Sequence, residues 1–340
     1  HRFHPVCACM VAAALLLGAT AARAPAKASR AAALPRLVPV VAFSVRPARI
    51  RTIADVDLLA DGRIAVLDFD ARRVAIFSSR GRFERFLRPP PGIAPGETLL
   101  PRLAALPGGG LILVDDEGDR FLFYDRRLDP RAVVPFGLEL TGTNGFVRHP
   151  SGELYLVASS QRDGRILHRF DPLGRHLDSY VGAAELPFPQ RSVYNSGQIT
   201  VDPADGTLWL TRLLPYEILH VDPRGELLGR IARGALAGPP PPGAQPAGAD
   251  ARPLRVNFAS SAKIAVIGDF VVNSYVLESG KQLADVFTRD GRLVAAELTM
   301  ESPLAFTKRV SGGVFVRQIN GSVPRVELWR ERPRGARASL

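Results

Sequence analysis

The chain writes one line of sequence several times over, and that internal repetition limits its fold more than any other feature. Residues 53–88 read IADVDLLADGRIAVLDFDARRVAIFSSRGRFERFLR. This is a short alternating run, an Asp-Gly turn, a second run closing on Asp68, a third run, a turn at Gly81 and a fourth run. Alternation with a period of two, punctuated by glycine turns, predicts four antiparallel strands joined by hairpins. The layout returns at 103–136, 146–181 and 199–231, and in weaker form at 263–298 and 304–332. Gly62, Gly109, Gly152, Gly206, Gly268 and Gly312 precede the second strand of successive units, at intervals of 47, 43, 54, 62 and 44 residues. Repeats of that length and strand content predict propeller blades, each of which buries its faces only against its neighbours.

The sixth copy stops at its third strand near Trp329, while an unmatched apolar strand, Val38 to Val45, stands before the first copy. Pairing that strand as the outer strand of the last blade closes a ring and removes two free sheet edges. The expected fold class is therefore all-β, a six-bladed β-propeller of four-stranded blades over residues 38–332. Asp68-x4-Arg73-Val74-x2-Phe77 and Asp115-x4-Arg120-Phe121-x2-Tyr124 each follow an alternating strand. These lines resemble NHL-type repeats of six-bladed propellers; the resemblance is carried by the first two blades and speaks to fold, since one fold hosts many functions.

The flanks read differently. Residues 1–21 begin with His1, Arg2 and His4, continue as an apolar run from Val6 and end at Ala19-Thr20-Ala21. That order matches a signal peptide with a small-x-small cleavage site, so the protein is expected to be exported, periplasmic or extracellular. Residues 22–37 form an Ala/Pro/Arg-rich linker, residues 232–253 a Pro/Gly-rich insertion and residues 333–340 a basic tail. The two cysteines, Cys7 and Cys9, fall inside the signal, so the mature chain would carry neither a disulfide nor a thiolate metal site. Nothing after the signal approaches a transmembrane span in length and apolarity.

Charge bears on the choice of partner. Lys and Arg total 44 against 33 Asp and Glu, for a net charge of +11. Only Lys27, Lys263, Lys281 and Lys308 are lysines, and the arginines are spread through nearly every segment. Nucleic acid is disfavoured as a partner because no basic motif interleaved with stacking aromatics is present.

In such a ring the turns between second and third strands share one face with the blade-to-blade connections, and that face is the expected binding surface. Polar residues reaching it without an evident part in the repeat are Arg212, Lys263, Arg317 and Gln318. They are the candidate ligand-binding residues, suited to an anionic or carbonyl-rich group. Asp68 and Asp115 are expected to accept backbone hydrogen bonds within their turns, and the acidic run from Asp115 to Asp119 is read as a solvated hairpin end rather than a calcium site. His168 and His220 recur at equivalent third-strand positions, and Asn320-Gly321 reads as a two-residue hairpin turn. No Gly-x-Ser-x-Gly elbow, His-Glu-x-x-His motif or phosphate loop occurs.

Asn144 and Asn195, each just before an inner strand, lie in TNGFVRHPSGELYL and NSGQITVDPADGTLWL. These lines are similar to the inner-strand segments of the gluconolactonase or senescence-marker propellers, and that resemblance implies a calcium or other divalent metal held by carboxylates and asparagine amides. The carry-over reaches only Asn144 and Asn195. Asp55 stands near the place of an expected glutamate, and Lys263, which would repel a cation, near that of an expected aspartate. The sequence thus supports an exported, non-catalytic propeller binding a protein, peptide or glycan ligand through its loop face with no cofactor. The alternative is a metal-dependent lactonase-like hydrolase at the channel mouth. N-terminal sequencing of exported protein should find residues 1–21 removed; retention of Cys9 carrying a lipid would overturn the signal assignment.

Overall fold

The computed structural model describes residues 34–94, 96–98, 101–182, 197–212, 216–232, 260–277, 281–305, 307–310, 313–320 and 322–332. The expected signal, nearly all of the linker, the insertion beyond Ala232, the basic tail and Asn195 lie outside them. The described residues from Pro35 onward form one compact unit.

That unit is a ring of six four-stranded antiparallel sheets. Blade one contains β2 (Ile53–Leu58), β3 (Ile64–Asp68), β4 (Arg73–Phe77) and β5 (Phe83–Phe86). Blade two contains β6 (Arg102–Ala105), β7 (Leu111–Asp115), β8 (Arg120–Tyr124) and β9 (Pro130–Pro135). Blade three contains β10 (Leu140–Arg148), β11 (Leu154–Ser160), β12 (Arg165–Phe170) and β13 (His176–Gly182). Blade four contains β14 (Ile199–Val201), β15 (Leu208–Arg212), β16 (Glu217–Val221) and β17 (Leu227–Ala232). Blade five contains β18 (Ser260–Ile267), β19 (Phe270–Val276), β20 (Gln282–Thr288) and β21 (Leu293–Thr299).

The sixth blade joins the two ends of the ring. Its strands β22 (Thr307–Arg309), β23 (Val314–Ile319) and β24 (Arg325–Glu331) are completed by β1 (Leu37–Ser44), which pairs antiparallel with β24 from Leu37 opposite Glu331 to Ser44 opposite Arg325. The expected closure and blade count are both observed. One local expectation changes: β23 and β24 are joined by residues 320–324 rather than by a two-residue turn. There the Asn320 amide accepts a hydrogen bond from the Ile53 N–H at 2.8 Å and donates to the Ile53 carbonyl at 3.2 Å, tying blade six to blade one.

Second strands such as β3 and β7 are buried at every residue, whereas outer strands such as β17 and β21 are mostly exposed or half-buried. A sheet pressed by neighbours on both faces needs apolar residues on both, which is why LILVD of β7 is almost continuously hydrophobic. The core is accordingly divided into wedges between successive blades. In the wedge between blades two and three, Phe121 packs against Phe136, Phe146 and Phe170 at ring separations of 4.7, 5.6 and 5.0 Å.

The near-literal repetition of the turn between third and fourth strands has the same origin. In Asp222-Pro-Arg-Gly-Glu the Asp222 carboxylate accepts the N–H groups of Arg224 and Glu226 at 2.9 and 2.7 Å, and Gly225 adopts φ +83°. A Cβ on Gly225 would run into the ring of Tyr180 from the preceding blade, and one on Gly81 into the ring of Phe43 from β1. The glycine therefore satisfies the turn and makes room for a neighbour's side chain. In blade two Leu128 takes the left-handed position, at φ +66°, and is itself buried. The glycine before the second strand also holds positive φ in blades one to five; in blade six Gly313 holds it, one residue past Gly312. Gly225→Ala is expected to destabilise the protein by about 2–4 kcal/mol, combining left-handed strain with overpacking, and to lower the thermal midpoint without altering blade topology. A thermal melt indistinguishable from wild type would refute this packing role.

Candidate functional site at the channel mouth

The first strand of each blade lines the central channel, running from the face that carries the turns between second and third strands, here the upper face, to the lower one. Side chains pointing inward from these strands meet across the ring although they are far apart in sequence. Asp55 on β2 is fully buried. Its two carboxylate oxygens receive the Lys308 ammonium from β22 at 2.8 and 2.9 Å, and also the N–H groups of Val56 at 3.0 Å and Leu103 at 3.2 Å. Lys263 on β18 approaches to 3.9 Å. Arg102 on β6 contributes a third positive charge to this carboxylate.

Two irregularities of the backbone occur at these residues. The register shifts between Ile53 and Asp55 in β2 and between Ser261 and Lys263 in β18. An extra residue in a strand turns the following side chain relative to the sheet, a common device where a side chain must be aimed. A further shift in β10, between Thr141 and Gly145, encloses Asn144. The Asn144 carbonyl gathers the Gln198 amide at 2.9 Å and the Arg102 guanidinium, so a belt of amides and cations runs round the upper channel.

The ionisation of the cluster follows from burial and charge. Burial alone would raise the Asp55 carboxyl, but Lys308, Lys263 and Arg102 outweigh it and hold Asp55 below the ordinary carboxylate range. Burial pushes the Lys263 amine down to about 7; Asp55 works against that shift, and Arg102 and Lys308 add to it. Asp57, deeper on the same strand, is pushed up by burial despite Lys308 and the Ala105 and Leu58 N–H groups that it accepts at 2.8 and 2.7 Å. Asp55 is thus a fixed anion held by Lys308 and Arg102, joined by Lys263 when that amine is protonated, while Asp116 also acts on Arg102.

This donor set does not fit a divalent cation. Asp55 stands near the place of the glutamate in the gluconolactonase resemblance, but both its oxygens are engaged by an ammonium and by backbone donors. Lys263 and Arg102 add repulsion, and no group of three His, Cys, Asp or Glu suited to a metal occurs among the described residues. Asn144 lies within β10, partly buried; Asn195 lies outside the described residues, so its expected pairing with Asn144 has no geometry to assess.

The four candidate binding residues separate. Lys263 belongs to the channel cluster, and Gln318 reaches the backbone carbonyls of Ile53 and Ala54 at 3.4 Å. Arg212 and Arg317 instead have parts in the fold. Arg212 donates to Glu217 at 2.6 Å and to the Gly182 carbonyl at 3.1 Å, and Arg317 meets Glu327 at 3.4 Å, all four charged side chains being buried. Arg212 and Glu217 face each other across β15 and β16 just as Asp68 faces Arg73 and Asp115 faces Arg120 in the first two blades. Blade four keeps that ion pair with its polarity exchanged, which concealed it in the sequence. Asp68 and Asp115 hold their turns as expected, accepting the N–H groups of Ala71 and Gly118 at 3.2 and 3.3 Å.

Sequence reasoning missed Asp57, Arg102 and Lys308. For Asp57 and Arg102 the one signal is a charge in a mainly apolar first strand, as in IADVDL and RLAA; Lys308, in the short strand TKR, carries none. The histidines are spent on structure. His168 Nε2 donates to the Ala158 carbonyl at 3.2 Å, and burial pushes the ring down to about 4. His220 stacks on Trp209 at 3.9 Å, and His149 bonds Ser151 within its own turn while bridging to Gly206 of the next blade at 2.9 Å.

No protein-family model matches this chain, and no curated protein matches it in sequence. The likeness to solved structures is one of architecture. A catalytically inactive virginiamycin B lyase from Staphylococcus aureus, solved with quinupristin, aligns with a TM-score of 0.53 at 11% identity, covering 84% of this chain and 82% of the lyase. A candidate exported protein from Bacteroides fragilis gives 0.56 at 10%, covering 87% and 95%. A candidate gluconolactonase gives 0.53 at 14%, covering 86% and 93%. Identities this low establish the six-bladed propeller and do not single out the NHL-type repeat within it.

Because Lys263 is neutral above about pH 7 in the folded protein but protonated until about pH 10 when unfolded, the unfolded chain binds the extra proton in that window. Its contribution to stability therefore rises with pH from 7 to 10. Lys263→Met should abolish this component, seen as a flatter difference between variant and wild-type melting temperatures above pH 10 than between pH 7 and 9. A constant difference across the whole range would show that Lys263 titrates normally.

Proposed function

We propose that this protein is an exported, non-catalytic propeller that binds a protein, peptide or glycan ligand on its upper face and anchors an acidic group of that ligand at the channel mouth. The observation that carries this reading is the convergence of Lys263, Lys308 and Arg102 on the single carboxylate of Asp55. A desolvated site with surplus positive charge attracts carboxylates and rejects cations. Lys263 is the cation best suited to exchange partners, since it stands 3.9 Å from Asp55 while Lys308 holds both carboxylate oxygens. Export rests on residues 1–21 and is supported by their order of charge, apolar run and small residues.

The lactonase-like alternative requires a divalent cation near Asp55, and the lysines there argue against one. Arg212 and Arg317, whose residue types suit ligand contacts, are assigned to blade stability by their buried partners. Binding of a hexaglutamate peptide and an oligogalacturonate, each against its uncharged counterpart, tests the proposal by calorimetry. The acidic member of at least one pair should bind more tightly, weaken as salt rises, and lose about fivefold or more in affinity with Lys263→Gln. Equal binding of charged and neutral probes, or metal-dependent hydrolysis of a lactone by the wild-type protein, would reject it.

A further inference from the structure

Lys263 differs from the other described lysines in what its nitrogen touches. Lys308 donates to both oxygens of Asp55 at 2.8 and 2.9 Å, and Lys281 is exposed. Lys263 is only 7% exposed, yet the Asp55 oxygen beside it lies 3.9 Å away, beyond hydrogen-bond reach. No hydrogen bond holds its amine among the described residues. The nitrogen is not sealed inside protein either, and part of its surface opens to the channel.

An ammonium carries three protons that each seek an acceptor, whereas a neutral amine carries a lone pair and can do without one. The acceptor that Lys263 would use is already taken, since Asp55 receives Lys308 and the N–H groups of Val56 and Leu103. Burial, Arg102 and Lys308 all favour the neutral form and only Asp55 opposes them, which sets the amine near pH 7. At neutral pH about half of it is free, against fewer than about one in a thousand for an ordinary lysine. The register shift between Ser261 and Lys263 turns this side chain at the point where β18 meets the channel cluster. A desolvated amine flanked by other cations, with its lone pair reachable from solvent, has the properties of a nucleophile.

The surroundings decide which electrophile suits it. Carbon dioxide would turn the amine into a carbamate and place a second anion beside the fixed charge of Asp55, 3.9 Å away. An imine is uncharged and leaves the balance of the cluster as it was. We propose that Lys263 is a covalent binding site for a small aldehyde, held as an imine on its side-chain nitrogen. The Nζ lone pair attacks the carbonyl carbon to give a carbinolamine. The two N–H hydrogens then leave with the former carbonyl oxygen as water, and the C=N bond forms without any oxidant or reductant. The slight exposure of Lys263 limits the partner to an aldehyde with one small substituent. Water reverses the bond, so the site holds its ligand without turning it over. This goes beyond the anchoring of acids proposed above, which uses the protonated lysine where the imine uses the neutral one.

Treatment of the native protein at pH 7 with acetaldehyde and sodium cyanoborohydride tests the inference, because the hydride reduces an imine to a stable ethyl-lysine that peptide mass spectrometry locates. Lys263 should gain its ethyl group about tenfold or more faster than Lys281 or Lys308, and the advantage should vanish in urea. Pivaldehyde, whose carbonyl bears a bulky substituent, should modify Lys281 and spare Lys263. Lys308→Gln removes a repelling charge and frees Asp55 for the Lys263 ammonium. Its labelling of Lys263 should therefore fall about tenfold at pH 7 and recover at higher pH. Labelling of Lys281 or Lys308 as fast as Lys263 in the native protein, no ethyl group on Lys263, or an advantage that persists in urea would overturn the site. These three results need only the unaltered protein, so they decide the matter whether or not the variant folds. They are also independent of the acidic probes: failure of those probes to bind leaves the labelling pattern unchanged.

Discussion

Every blade of this protein depends on the antiparallel ladder between β1 and β24. A four-stranded sheet whose two middle strands are apolar on both faces cannot stand in water, so each blade needs a neighbour on either side. In an open row the two end blades would each lack one. The ladder from Leu37 opposite Glu331 to Ser44 opposite Arg325 makes the row a ring, and Phe43 from β1 then packs on Phe77 of the first blade at 5.1 Å. The strand that completes blade six thus also supplies part of the wedge that supports blade one. Closure and interblade packing are carried by the same residues.

Closure also dictates the chemistry of the channel. Six first strands brought to one axis must point alternate side chains into a narrow space where water is scarce, and any charge there needs a partner from another blade. Asp55 finds Lys308, a residue 253 positions away, and Leu103, 48 positions away. Such contacts exist only after the ring has formed. They make the channel cluster a product of the global topology, while the turn glycines and their aspartates are products of local sequence.

That division explains which features the sequence makes legible. The blade boundaries and the roles of Asp68 and Asp115 can be read because each rests on a short motif recurring along the chain, and the closing strand because the sixth copy lacks its fourth strand. The channel cluster cannot, because Asp55, Arg102, Lys263 and Lys308 lie in four different repeats and none belongs to the repeated line. Arg212 misleads for a related reason. The pattern of the first two blades sets an acid before a base, and blade four reverses the order while preserving the cross-strand pair. Reading by residue type finds an unassigned arginine where reading by register finds a pair. Asn320-Gly321 has the composition of a local turn, yet its asparagine contacts Ile53 across the seam between the last blade and the first.

The same register logic bears on why the two ends of the channel differ. Asp55 and Asp57 are two residues apart on β2 and point to the same side of the strand. Lys308 bonds directly to the first and acts on the second only through its field. Asp55 has three cations around it and stays charged; Asp57 has backbone donors and tends toward neutrality. Negative charge in the channel is therefore concentrated at the upper level, where it offsets part of the positive charge of Lys263 and Arg102. Two positions along a single strand thus separate a carboxylate that three cations keep charged from one that burial drives toward neutrality.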